Sequence, residues 1–207
     1  MPIRVGLFGT IHGDEPEGAY ALAEFVRILE AKPNLAAGYC LSIYPICNPT
    51  GFEDNSRHCR AGKDLNREFW AHSRQPEIQL LQAELTASAF HGIISLHTDK
   101  DADGLYGVAR GAVIARELLK PALAAAETFL PQSARRYIAG FQAADGCIHD
   151  WFKGALSASP RTRPRPFEIA LAVPTFPPAY LRQLALVTAF QSILAEYRAF
   201  ISHGANL

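Results

Sequence analysis

The sequence predicts an α/β protein, three-layered α/β/α around a mainly parallel mixed sheet. Short apolar, β-branched runs alternate with segments of helical periodicity along the chain. A length of 207 residues suits one domain that buries most of its unfolded surface, so 1–207 is expected to form a single domain. Two histidines, His12 and His97, fall at the carboxyl ends of predicted strands, the edge of such sheets where ligands bind.

The elements follow in order. Ile3 to Phe8 is an apolar run that stops at Gly9, the profile of a buried strand. From Pro16, a residue suited to a first helical turn, to about Glu30 the positions Ala19, Ala23, Phe25, Val26 and Leu29 recur at helical spacing. Cys40 to Ile46 reads as a second buried strand, closed by the turn signal Asn48-Pro49-Thr50-Gly51. A polar loop runs to about Trp70, and Ile78, Leu81 and Leu85 then mark a helix over Pro76 to Phe90. Gly92 to Leu96 is a third strand ending on His97, and Leu105 to Val108 a fourth. A helix over Ala112 to Phe129, a central strand over Phe167 to Ala172 and a closing helix over Pro178 to Ile201 complete the pattern.

Composition narrows the function classes. Lys+Arg and Asp+Glu both total 20, so no global charge draws the chain to nucleic acid or an anionic membrane, and specificity must come from a local site. The start lacks the apolar stretch and cleavage site of a signal peptide, and no run approaches membrane-spanning length. Cys40, Cys47, Cys59 and Cys147 form no Cys-x-x-Cys pair, which leaves a reducing cytosol as the simplest compartment.

A catalytic zinc takes three protein ligands from His and carboxylate and keeps one position open for water. His12-Gly-Asp-Glu15 supplies a His and a carboxylate in one tight loop, with Gly13 letting the backbone bend, and His97 offers a distant third ligand. On His-x-x-Glu alone, His12 as a loop cap, Glu15 at a helix start and His97 as a satisfied core residue is the better explanation. Glu168 is harder to dismiss. It stands inside the apolar run Phe167-Glu-Ile-Ala-Leu-Ala-Val, where a carboxylate is costly unless paired or functional.

The loop from Asn48 to Phe69 changes the balance. His-Gly-x-Glu, Asn-Pro-x-Gly, Arg57-x-x-Arg60, Asp64-Leu-Asn66-Arg67, a strand ending in Leu-His and a late Phe-Glu occur in one order. In this the sequence resembles the zinc carboxypeptidase family: carboxypeptidases A and B, murein-peptide amidases and, more distantly, the succinylglutamate desuccinylase and aspartoacylase group. The resemblance implies a zinc carboxypeptidase-like fold and one zinc per chain held by His12, Glu15 and His97. It further implies Glu168 as general acid/base, Arg60 as the arginine that polarises the scissile carbonyl, and Asn66 and Arg67, with Arg57 beside them, as substrate-binding residues that dock a terminal carboxylate. Asp64 matches the carboxylate that orients the first zinc histidine. The implied chemistry is amide hydrolysis by zinc-activated water, without a covalent intermediate, on a small peptide or an N-acyl amino acid. The Asn-Pro-x-Gly and Arg-x-x-Arg spacing favours the peptidase branch.

The sequence departs from the family in one place. Asp145-Gly-Cys-Ile-His149-Asp150-Trp151 resembles the segment that follows the family's mobile capping tyrosine, but the preceding position reads Phe141 or Gln142 and the nearest tyrosine is Tyr137. A metal-binding or partner-binding homologue without activity is therefore a third reading. Asp99, Asp101 and Asp103 offer carboxylates to a substrate amine or form a solvated turn, and the basic loop Ser157 to Pro166 offers a rim to an anionic substrate or is plain surface.

Overall fold

A computed structural model describes residues 2–204. The chain divides into two compact units, one of Met1–His97 with Phe152–Glu168, the other of Thr98–Trp151 with Ile169–Leu207.

In the first unit, β1 (Ile3–Phe8) is followed by α1 (Glu17–Ala31), with Pro16 at its amino-terminal cap. The buried face of α1 is Gly18, Ala19, Ala21, Leu22 and Phe25, whereas Val26 is exposed, so the apolar stripe is turned relative to the one read from the sequence. β2 (Tyr39–Tyr44) follows, then the short α2 (Pro49–Glu53), α3 (Pro76–Ala87) and β3 (Gly92–Asp99). β1 pairs in parallel with both β2 and β3, Val5 standing opposite Leu41 and Gly92. β2 is not the buried strand expected: it is paired on β1 alone among the described residues of this unit, Cys40 is exposed and the rest is half-buried. β3 does not end at Leu96 but runs through His97 to Asp99, which fixes the His97 backbone within the strand. Phe8, Ile11, Leu65, Phe69, Ile78, Leu81, Phe90 and Ile93 form one buried cluster in this unit, where Phe8 stacks on Tyr44 at 4.6 Å and meets Phe90 edge-on at 6.2 Å. Each such side chain stabilises the fold by about 1.5–3 kcal/mol when fully buried. Two of them, Phe8 and Ile11, flank the turn into His12 and anchor that loop from below.

In the second unit, β4 (Tyr106–Ala109) leads into α4 (Ala112–Ile114), a π-wound stretch over Ala115–Leu119 and α5 (Lys120–Ala126). The sequence predicts one regular helix here. The irregular winding lies just ahead of Pro121, which has no N–H for the preceding turn. β5 (Tyr137–Ile138) and β6 (Phe141–Gln142) form a small antiparallel ladder, and β7 (Cys147–Ile148) runs parallel to β4. β8 (Phe167–Pro174) starts in the first unit and pairs antiparallel with β4, Leu171 opposite Gly107. α6 (Ala179–Gly204) closes the described chain. Over Ala179–Ser202 it is long and apolar enough to cross a membrane, which corrects the expectation that no segment is. Arg182, Glu196 and Arg198 hide this from a search for an unbroken apolar run, and Ala185, Leu186, Ala189, Phe190 and Ile193 give it the buried face of a core helix.

Candidate metal centre and active site

The loop between β1 and α1 is tied down before any chemistry begins. The N–H groups of Cys47 and Asn48 donate to the carbonyls of Gly9 and Thr10, carrying a strand-like ladder past the end of β1. The fully buried Asn48 accepts from the Gly51 N–H at 2.9 Å, capping α2, and its Nδ2 donates to the carbonyls of Ile11 and Arg57, both at 3.4 Å. Gly13 is required by close approach rather than by a bend: a Cβ there would lie 1.9 Å from the Gly51 carbonyl carbon. The Asn-Pro-x-Gly turn thus builds the floor of the His12 loop.

On that floor three expected ligands converge. His12 Nδ1 lies 2.6 Å from Glu15 Oε1 and His97 Nδ1 lies 3.0 Å from Glu15 Oε2, and one donor atom from each of the three residues falls within 4.8 Å of the others. Among the described residues this is the one His/Cys/Asp/Glu cluster of that kind. Two imidazole nitrogens and a carboxylate are the donor set of a catalytic zinc with an open position, so the residues present fit that ion. His12 Nε2 lies 3.3 Å from Asp64 Oδ1, an ion-pair distance without hydrogen-bond geometry, as befits a carboxylate placed behind a ligand histidine.

Charge is concentrated here. Burial opposes ionisation of Glu15, but the imidazoles of His12 and His97 outweigh it and hold the carboxyl at about 2, well below its usual 4.5. Burial likewise pulls His12 down, and the carboxylates of Asp64 and Glu15 overcome it to leave the imidazole above 6.5. Asp64 is driven far below the carboxylate range against its own desolvation by His12, Arg57 and Arg67.

The two loop arginines separate. Arg57 donates from Nε and Nη2 to Asp64 Oδ2 at 3.2 and 3.1 Å and from Nη1 to Glu15 Oε1 at 3.4 Å, so its guanidinium lies against the cluster. Arg60, expected to polarise the carbonyl, turns instead to Asp54 and Glu53, both of them exposed, at 2.9–3.1 Å. The carboxylates of α2 and its cap stand six and seven residues before Arg60 and capture it locally, whereas Arg57 has Glu15 and Asp64 within reach.

Asn66 and Arg67 sit on a short turn over Leu65–Arg67, opened by Asp64 Oδ1 accepting from the Asn66 N–H. Asn66 Oδ1 accepts from the Leu156 N–H at 2.9 Å, Arg67 Nη1 donates to the Asn66 carbonyl at 2.7 Å, and the Arg67 guanidinium lies 5.2 Å from the centre of the Phe152 ring. Glu168 is fully buried and paired, as an apolar strand demands: Oε1 accepts from the Ala158 N–H at 2.8 Å and both oxygens face Arg165 Nη2 at 3.2 and 3.3 Å. Phe152, Leu156 and Ala158 gave no signal in the sequence, because two of them act through backbone N–H groups and the third is one aromatic among many. Arg165 was visible only as one cation of a basic loop. Asp99 accepts from the Tyr106 hydroxyl, and Asp103 accepts from the Ser133 hydroxyl, so these two carboxylates serve the second unit's own turns.

Comparisons with known proteins bear on the fold and the family of the chain. A protein from Shewanella denitrificans OS217 provisionally named a metallopeptidase is 24% identical, with a TM-score of 0.81 over 94% of this chain and 74% of that one. A metallo-carboxypeptidase from Burkholderia cenocepacia is 18% identical, with a TM-score of 0.70 over 97% of this chain and 58% of that one. The murein-tripeptide amidase MpaA from Escherichia coli O157 is 19% identical, with a TM-score of 0.57 over 91% of this chain and 81% of that one. These likenesses show the fold, a zinc carboxypeptidase-like α/β fold. No curated protein matches the sequence. The model of the succinylglutamate desuccinylase/aspartoacylase catalytic domain matches residues 3–134, more than half of the chain. The chain belongs to that family of hydrolases.

Proposed function

We propose that this protein is a zinc-dependent hydrolase of metallocarboxypeptidase or peptide-amidase type, cutting an amide bond beside a free carboxylate. The observation that carries the proposal is the convergence of His12 Nδ1, Glu15 and His97 Nδ1 with Asp64 behind His12. Zinc held there supplies an acidified water and a Lewis acid for a carbonyl oxygen. Arg57 then takes the role that the resemblance implies for Arg60: its guanidinium, fixed by Asp64 and Glu15, donates to the oxyanion as charge develops. Glu168 takes the proton from water and returns it to the leaving amine, held meanwhile by Ala158 and Arg165. Asn66 Nδ2 and Arg67 dock the substrate carboxylate. The proposal treats residues 1–207 as one catalytic domain, and the free cysteines support a reducing, cytoplasmic setting.

A second reading, hydrolysis of N-acyl amino acids, is favoured by the family match. Arg-x-x-Arg spacing spoke for peptides, and it loses weight once Arg60 is tied to Glu53 and Asp54. Assay of the zinc-loaded chain on dipeptides, murein tripeptide and N-acyl amino acids separates the two: cleavage confined to N-acyl compounds removes the peptidase reading. Zinc bound at one per chain, lost in His97→Ala and retained in an inactive Glu168→Ala, is expected. A native chain that neither binds zinc nor hydrolyses any of these compounds would instead mark a binding homologue.

A further inference from the structure

The segment from Phe152 to Ala158 touches every part of the proposed docking side. The Gly154 carbonyl accepts from the Phe69 N–H at 3.1 Å, the Leu156 N–H donates to Asn66 Oδ1, the Ser157 carbonyl accepts from Trp70 Nε1 at 3.0 Å, and the Ala158 N–H holds Glu168. Gly154, at φ +74, has its backbone so close to Arg67 that a Cβ would stand 2.3 Å from the Arg67 carbonyl oxygen. This strap therefore sets where Phe152 stands relative to Arg67.

The guanidinium of Arg67 is a planar fork with one corner hydrogen-bonded and an aromatic ring beside it. Nη1 is spent on the Asn66 carbonyl, and the Phe152 ring lies against the group. Among the described residues, Nε and Nη2 hydrogen-bond to none, so one in-plane edge remains, and two parallel N–H groups on such an edge match the two oxygens of a carboxylate. Asn66, with Oδ1 turned to Leu156, keeps its NH₂ for the same ligand. Left unsupported, a guanidinium on a three-carbon stem samples many rotamers and gives up part of its affinity to order itself on binding.

We infer that Phe152 is a positioning residue for the substrate carboxylate: its ring holds the Arg67 guanidinium so that the Nε/Nη2 edge is presented as a preformed fork. This rests on Arg67 being the carboxylate dock. The same aromatic stands against the dock in a chain whose capping tyrosine position reads Phe141 or Gln142.

The test follows the Arg67 Nε–H resonance of the 207-residue chain by NMR during titration with acetate, a readout local to this side chain and independent of turnover. Wild type is expected to show a saturable shift. Phe152→Leu, which keeps apolar bulk and loses the π face, is expected to weaken acetate binding roughly three- to tenfold, and Phe152→Tyr to stay within about twofold of wild type. In assays on whichever free-acid substrate the panel yields, Phe152→Leu raises KM and leaves kcat near wild type. Acetate binding in Phe152→Leu equal to wild type overturns the inference alone, as does equal weakening in the Leu and Tyr variants, the mark of plain packing. An Arg67 signal unmoved by saturating acetate in wild type overturns the docking role of Arg67 and this inference together.

Discussion

The metal corner and the docking side belong to the same unit and are held in opposite ways. At the corner the charged groups share partners: Glu15 meets both histidines and Arg57, His12 meets Glu15 and Asp64, and Asp64 meets His12, Arg57 and the Asn66 N–H. On the docking side, Asn66 Oδ1 has one backbone partner and the Arg67 guanidinium has one carbonyl and one ring. A network of the first kind fails as a unit and its deletions do not add, whereas contacts of the second kind are separable. The proposed metal corner is thus held by shared partners, and the proposed docking side by separable ones.

The largest expected effect tests the network. Arg57→Ala removes the proposed oxyanion donor and also frees Asp64 and Glu15, so kcat/KM is expected to fall by roughly 10²–10³-fold, the cost of losing one preorganised oxyanion donor. Asp64→Asn keeps shape but not charge and is expected to weaken zinc roughly 10–100-fold, as measured by competition with a chelator. The double variant discriminates further. A combined loss well short of the product of the two singles is the signature of one network, and simple multiplication would mean that Arg57 and Asp64 act independently.

A smaller effect comes from pH, and it has opposite signs in the two forms of the protein. Glu15, at about 2 in the folded chain against an ordinary 4.5, contributes stability that is present above about 4.5 and lost as pH falls towards 2. His12, raised above 6.5, contributes stability that is present below 6.5 and lost as pH rises through its folded value. The zinc-free chain is therefore expected to resist urea best between about pH 4.5 and 6.5. Zinc requires His12 deprotonated, so the gap in urea midpoint between zinc-loaded and zinc-free protein is expected to widen from about pH 6 to about pH 8. A gap that stays constant over that range would detach His12 from the metal.

The same contrast explains what the sequence disclosed. The corner was readable because its three residues lie in a four-residue motif and at a strand whose apolar run leads to His97, and strands and long helices announced themselves by period. The docking side was only half readable: Asn66 and Arg67 lie in a motif, but their supports Phe152 and Leu156 come from some 85–90 residues away and act through a ring face and a backbone N–H. Spacing carries no information of that kind. β2 was misjudged for a related reason, since an apolar run does not tell an edge strand from a central one, and only the pairing of β1 with β2 on one side and β3 on the other does.

Arg57 and Arg60 bring the comparison down to two like residues three positions apart. Motif spacing cannot choose between them, whereas their partners can: Arg57 meets carboxylates that are themselves bound to the metal corner, and Arg60 meets Glu53 and Asp54 on an exposed helix end. Exposed ion pairs of this kind are screened and add little. Arg60→Ala is therefore expected to leave zinc affinity, thermal midpoint and kcat/KM within about twofold of wild type, the smallest effect of the series. A hundredfold loss of kcat with zinc retained would mean that Arg60 leaves Glu53 and Asp54 to meet the bound substrate. The polarising role would then pass back from Arg57 to Arg60, and the tight corner would hold a metal without supplying the second positive group.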